Sequence, residues 1–202
     1  MTGPHWEEVY ATRAADEVSW YQRDPATSVR LVEALAADRS AGIVDVGSGA
    51  SFLVDRLLAD GYRDVTLVDV SARALDGLRT RLGEPAGSVT FVCSDVLDWS
   101  PERTYEVWHD RAAFHFLTDD ADRARYVEIA GRSVRPGGAL IVATFAADGP
   151  THCSGLPVRR HAAPDLADAF GAWFTVESSE REEHITPAGV VQPFTWMVLR
   201  RS

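Results

Sequence analysis

From about residue 25 to about residue 171, short apolar runs alternate with segments whose apolar residues recur at helical spacing. Gly42-Ile43-Val44-Asp45-Val46-Gly47 reads as a first strand ended by glycines, and Phe52, Leu53, Leu57 and Leu58 carry a helix that stops at Gly61. The run from Val65 to Val70 is a second strand, rich in β-branched residues. Ser71 is placed to cap a helix that runs through Leu75, Leu78 and Leu82 to Gly83. Val89 to Cys93 is a third strand, and Tyr105 to Trp108 a weaker fourth. A helix over Asp119 to Val134 is broken by Arg135-Pro136-Gly137-Gly138. Ala139 to Phe145 is apolar throughout, as a buried central strand should be, and Ala163 to Phe170 is the last helix. The period then changes: Phe174 to Ile185 and Val190 to Arg200 read as long strands joined by the turn Thr186-Pro187-Ala188-Gly189. This order predicts an α/β fold, a parallel, doubly wound sheet finished by an antiparallel hairpin. Two helical patterns, Trp6 to Arg13 and Pro25 to Asp38, precede the first strand. With no repeat or linker in view, the expectation is one domain over 1–202, with an N-terminal helical lid (1–40) and a sheet core (41–202).

Composition narrows the function classes. The 202 residues are 46% hydrophobic, enough for a core, and no apolar run reaches bilayer-spanning length. The N-terminus lacks the basic start and apolar stretch of a signal peptide, so a soluble cytoplasmic protein is expected. Thirty acidic residues outnumber 20 basic ones, and every basic residue is arginine. A net charge of −10 argues against nucleic acid as a partner. Two cysteines are too few for a disulfide scaffold or a structural zinc site. Oligomeric state is not legible.

In a parallel sheet a ligand lies beyond the carboxyl ends of the strands. Strand one ends in Asp45-Val46-Gly47-Ser48-Gly49, where glycines permit a tight turn and a close ligand. Asp69 ends strand two, placed to accept hydrogen bonds from ribose hydroxyls, and Asp95 follows strand three, with Val96 beside it to pack on a ring. Phe52 stands where a dinucleotide fingerprint would have its third glycine, which disfavours nicotinamide.

These segments, Val44-Asp45-Val46-Gly47-Ser48-Gly49, Leu67-Val68-Asp69-Val70-Ser71 and Cys93-Ser94-Asp95-Val96, with Arg135-Pro136-Gly137-Gly138, resemble those of class I S-adenosylmethionine-dependent methyltransferases. The resemblance implies a Rossmann-like seven-stranded sheet of order 3-2-1-4-5-7-6 with strand 7 antiparallel. It implies S-adenosylmethionine as cofactor and S-adenosylhomocysteine as product. It also implies that Asp45, Gly47, Ser48 and Gly49 line the methionine moiety, that Asp69 and Val70 hold ribose and adenine, and that Asp95 and Val96 meet the adenine. His109, ending strand four, would face the sulfonium. Ser51 replaces a third glycine common in the family. The N-terminal and Trp108-His109-Asp110-Arg111 segments are similar to a branch of small bacterial members, and in layout to eukaryotic lysine methyltransferases.

On the acceptor side, Asp110, Arg111 and His115 follow strand four and are the candidate catalytic groups, a bracing role for the loop being the alternative. Trp20 and Tyr21 belong to an aromatic N-terminal segment that could cover cofactor and substrate, and His152 and Cys153 follow strand five as candidate substrate contacts. No ligand pair with zinc spacing is present, so no metal is expected. The reading is methyl transfer to a small molecule. Its alternatives are a protein lysine methyltransferase and a non-catalytic S-adenosylmethionine binder.

Overall fold

A computed structural model describes residues 3–202. Met1 and Thr2, which open the expected lid and the stretch read for a leader, lie outside the described residues. The chain runs through α1 (Gly3–Thr12), α2 (Ala26–Leu35), β1 (Ile43–Val46), α3 (Leu53–Ala59), β2 (Val65–Asp69), α4 (Ala72–Leu82) and β3 (Val89–Cys93). It continues through β4 (Tyr105–Arg111), α5 (Asp120–Ser133), β5 (Val134–Phe145), β6 (His152–Cys153), β7 (Leu156–Pro157), α6 (Ala163–Phe170), β8 (Phe174–Ile185) and β9 (Val191–Arg201).

Seven strands form one sheet in the order β3-β2-β1-β4-β5-β9-β8. β3 through β5 are parallel, and β9 is antiparallel to both β5 and β8. Counted within that sheet alone, this is the expected order with its antiparallel seventh strand. Alternate residues of each strand face opposite sides. Ile43, Leu67 and Ile141 pack under α2, α3 and α4 through Val32, Leu57 and Leu78. Val44, Trp108 and Leu140 pack under α5 and α6 through Tyr126 and Phe170. Each large apolar side chain so buried contributes roughly 1.5–3 kcal/mol. Two caps set the expected helix starts: Ser71 Oγ accepts from Ala74 N at 3.2 Å, and Asp119 Oδ1 from Ala121 N at 2.8 Å.

Three local departures matter for the site. β4 runs to Arg111 rather than Trp108, so His109 and Asp110 are strand residues paired between β1 and β5, and Arg111 pairs with β5. β5 starts at Val134, so Arg135-Pro136-Gly137-Gly138 is an irregular strand entry instead of a break. Pairing shifts register between Tyr105 and Val107 there, and a Cβ on Gly138 would stand 2.8 Å from Glu106 O. The short β6–β7 hairpin, which brings Cys153 back over the sheet end, has no hydrophobic period long enough to read. Among the described residues no helix is long and apolar enough to cross a membrane.

A third small cluster lies over the carboxyl ends of the strands. Trp6 and Val9 of α1 and Val18 pack with Tyr10, Trp20, Tyr21, Val70 and Phe116. α1 is fastened there by Glu7, whose carboxylate accepts from Arg73 N at 3.2 Å.

Candidate active site

Two adjoining cavities, of about 590 and 540 Å³, open beneath α1 and the segment that follows it. Both are lined by Gly47, Trp20 and Arg111.

The first cavity sits on the ends of β1, β2 and β3. Gly47 and Gly49 have φ of +66° and +51°, a left-handed backbone that glycine adopts without strain. A Cβ at Gly47 would stand 2.7 Å from Ala113 Cβ, and one at Gly49 would press on the Tyr10 hydroxyl. Asp69 accepts from Gly49 N and Ser71 N, each at 2.8 Å, which ties the glycine turn to the end of β2. Burial raises the Asp69 carboxyl to about 6 against those two hydrogen bonds. Val70, Ser94 and Val96 complete this end. Asp95 does not line either cavity; its Oδ1 accepts from Leu97 N at 3.0 Å and shapes the turn that presents Val96. The Tyr10 phenol, held by Ala50 and Trp20, is kept well above its ordinary pKa by burial and then by the Asp69 charge.

The second cavity is lined by Asp45, Ser48, Ser51, His109 and Tyr21. His109 Nδ1 lies 2.7 Å from Asp45 Oδ1, and its Nε2 lies 3.0 Å from Ser28 Oγ of α2. Nδ1–H is assigned as donor to the carboxylate, which leaves Nε2 to accept from the serine hydroxyl. Ser48 Oγ is buried with no partner among the described residues.

The expected catalytic trio separates. Asp110 is fully buried on the α5 side, where it accepts from Ala113 N at 2.9 Å, Phe114 N at 3.0 Å and the Tyr126 hydroxyl at 2.5 Å. Burial raises its carboxyl to about 6. It lines neither cavity and acts as the brace for the loop after β4. His115 is also fully buried, packed on Phe116 and Phe145, with Nδ1 accepting from Phe145 N at 3.4 Å. Burial lowers it to about 3, so it is neutral, and it too lines neither cavity. The brace holds Ala112 at φ +71° against the cavity wall. Arg111, one residue along the strand from Asp110, points to the opposite face. Its Nη1 donates to Trp20 O at 3.0 Å, and its guanidinium lies 4.7 Å from the centre of the Phe194 ring.

Of the candidate substrate contacts, Cys153 lines the first cavity and Tyr21 the second. Burial pushes the Cys153 thiol up to about 11. His152 is exposed beside Thr151, lining neither cavity, because adjacent residues of a short strand face opposite ways. Ser28 and Phe116 have no sequence signal for their places: one reaches His109 across 81 residues, and the other meets Trp6 edge-on at 5.1 Å. Among the described residues no group of three metal-ligating side chains converges.

A family model described as a methyltransferase domain matches residues 43–138. Over 102 residues the chain is 34% identical to N-terminal Xaa-Pro-Lys N-methyltransferase 1 of Danio rerio, covering 49% of this chain and 45% of that protein. It is 30% identical over 111 residues to nodulation protein S of Rhizobium tropici, covering 55% of this chain and 46% of the other. The matches thus span about half the length of these curated relatives. Among solved structures, the Burkholderia thailandensis 1,6-didemethyltoxoflavin-N1-methyltransferase, bound to 1,6-didemethyltoxoflavin and S-adenosylhomocysteine, aligns with a TM-score of 0.71 and 24% identity. That alignment covers 96% of this chain and 81% of the other, and it shows a shared fold.

Proposed function

Residues 43–138 are a methyltransferase domain set in a class I methyltransferase fold, and from that premise we propose that the protein transfers a methyl group from S-adenosylmethionine to a small-molecule acceptor. One observation carries the reading: two cavities meet at Gly47, Trp20 and Arg111 over the carboxyl ends of β1, β2 and β4. The residues present suit the cofactor. Val70 and Val96 offer apolar walls to adenine, and Asp69 offers carboxylate oxygens to the ribose hydroxyls. In the second cavity Asp45 suits an ammonium group, and the unpartnered Ser48 hydroxyl suits a carboxylate oxygen. When bound, S-adenosylmethionine supplies an electrophilic methyl carbon on a sulfonium.

The protein's own contribution is orientation and exclusion of water. Asp110 fixes the loop that sets Ala112 and Ala113 as one wall, while Trp6, Trp20 and Phe116 close the aromatic side. The His109–Ser28 contact holds the Asp45 carboxylate toward the cofactor's tail. A small acceptor is favoured over a protein segment because α1 and residues 15–22 lie across the strand ends. Calorimetry with S-adenosylhomocysteine should give one-to-one binding. Incubation with methyl-labelled cofactor and a metabolite extract should label small molecules. A labelled protein band with no small-molecule product would overturn the acceptor class, and no binding of S-adenosylhomocysteine would overturn the cofactor.

A further inference from the structure

Arg111 is the only arginine lining either cavity among the described residues, and it lines both. Its Nε and Nη2 are shut off from solvent with no hydrogen-bond partner. The acid whose charge reaches it most, Glu182, is engaged elsewhere: Oε1 accepts from Gln22 Nε2 at 3.1 Å, and Oε2 from Trp196 Nε1 at 2.7 Å. A guanidinium with two unpartnered donors and no carboxylate in ion-pair contact, set among Trp20, Phe116 and Phe194, is costly to bury. An anion placed against it removes that cost and gains charge-assisted hydrogen bonds.

We propose that Arg111 seats the acceptor as an anion, so that the substrate is a small compound whose reacting atom is a thiolate sulfur or a carboxylate oxygen. This rests on the methyl-transfer reading above. The other titratable side chains of the first cavity agree with it. Asp69 is taken up by the Gly49 and Ser71 N–H groups and, in that reading, by the ribose, and burial keeps the Tyr10 phenol and the Cys153 thiol protonated. His109 of the second cavity has both ring nitrogens engaged, by Asp45 and by Ser28, so no lining group is free to take a proton and the acceptor loses its proton to solvent before it binds. A lone pair of the anion then forms the bond to the methyl carbon. The bond from that carbon to the cofactor's sulfur breaks, and its electron pair stays on that sulfur. One negative and one positive charge vanish together, and no proton moves. A lysine ammonium fails on both counts: Arg111 repels it, and nothing removes its proton.

The test is calorimetry at neutral pH on the full chain, with and without S-adenosylhomocysteine, using thiophenol and benzoate as anionic probes and thioanisole and methyl benzoate as their neutral counterparts. The anions are expected to bind about tenfold or more tighter than the neutral compounds. Arg111→Met should erase that preference while changing S-adenosylhomocysteine affinity by less than about threefold. Arg111→Lys, which keeps the charge and loses the fork, should retain part of it. A preference for thiophenol over benzoate assigns the thiolate, and the reverse assigns the carboxylate. Equal binding of charged and neutral probes overturns the proposal. So does a tenfold or greater loss of S-adenosylhomocysteine affinity in Arg111→Met with probe binding unchanged, since Arg111 would then hold the cofactor's own carboxylate. Arg111-dependent anion binding in a protein that ignores S-adenosylhomocysteine keeps the anion seat and overturns the cofactor reading. If Arg111→Met fails a thermal-melt check for folding, the wild-type probe series and Arg111→Lys decide.

Discussion

The ends of β1 and β2 and the end of β4 both gather charged residues, yet they use them in opposite ways. At β1 and β2, Asp45 and Asp69 face the cavities and fasten their surroundings: Asp69 grips the glycine turn, and Asp45 accepts a hydrogen bond from His109 Nδ1. At β4, the strand's alternation sends Asp110 beneath α5 and Arg111 toward the cavities. Carboxylates at neighbouring strand ends therefore do different work. One pair lines the cavities, while Asp110 is spent on its own loop. Proximity in sequence to a strand end is weaker evidence of contact with a ligand than the parity of the position.

The largest effect expected from this contrast is at the brace. Asp110→Ala leaves two N–H groups and the Tyr126 hydroxyl without their acceptor, and it should cost about 3–5 kcal/mol in urea-unfolding stability. The ligand-facing counterpart, Asp69→Asn, should weaken S-adenosylhomocysteine binding by about 1.5–3 kcal/mol in calorimetry while the melting temperature falls far less than in Asp110→Ala. Because the Asp69 carboxyl titrates at about 6, wild-type affinity should decline as pH drops through that value, and Asp69→Asn should flatten the profile.

His115 sharpens the contrast from the stability side. Its pKa in the fold is about 3 against an ordinary 6.5, so the unfolded chain takes up a proton that the fold refuses between those values. Its contribution is present above 6.5 and is lost as pH falls. His115→Phe should therefore gain on the wild type in stability steadily from pH 6.5 downward, in paired denaturant titrations. Asp69 and Asp110, raised to about 6, act with the opposite sign over roughly pH 4–6, and His161, lowered by burial to about 4, acts with His115, so two groups oppose two and the wild-type curve itself should be shallow there. The smallest effect is at Tyr10. Tyr10→Phe removes a hydroxyl seated on the Gly49 turn and should shift S-adenosylhomocysteine affinity by only about 0.5–1.5 kcal/mol. Slower hydrogen exchange in residues 3–24 on adding S-adenosylhomocysteine would support the lid reading of that segment.

Much of the architecture was legible because its signals are local. Gly47 and Gly49 end a strand, Ser71 and Asp119 cap helices, and a long apolar run marks β5. What escaped depends on partners far along the chain. Nothing near Ser28 announces a bond to His109, and β4 reads as ending at Trp108 because His109-Asp110-Arg111 is polar, although each of the three finds a partner. His115 carries no local mark that separates an interior histidine from a catalytic one; only its packing on Phe145 does. Trp20, Tyr21 and Cys153 line the cavities, whereas His152 is exposed and Asp95 accepts from Leu97 N in its own loop.

Ala112 gives the loop after β4 a significance for protein engineering. An alanine at φ +71° carries roughly 1–3 kcal/mol of backbone strain, a reserve held in place by the Asp110 brace and the Ala112 N–H bond to Ala143 O. Glycine adopts that conformation freely, so Ala112→Gly is a rare position where deleting a side chain should raise the melting point. The loop would then no longer press its methyl group into the cavity, and a more heat-resistant protein would come with a looser, more permissive acceptor wall.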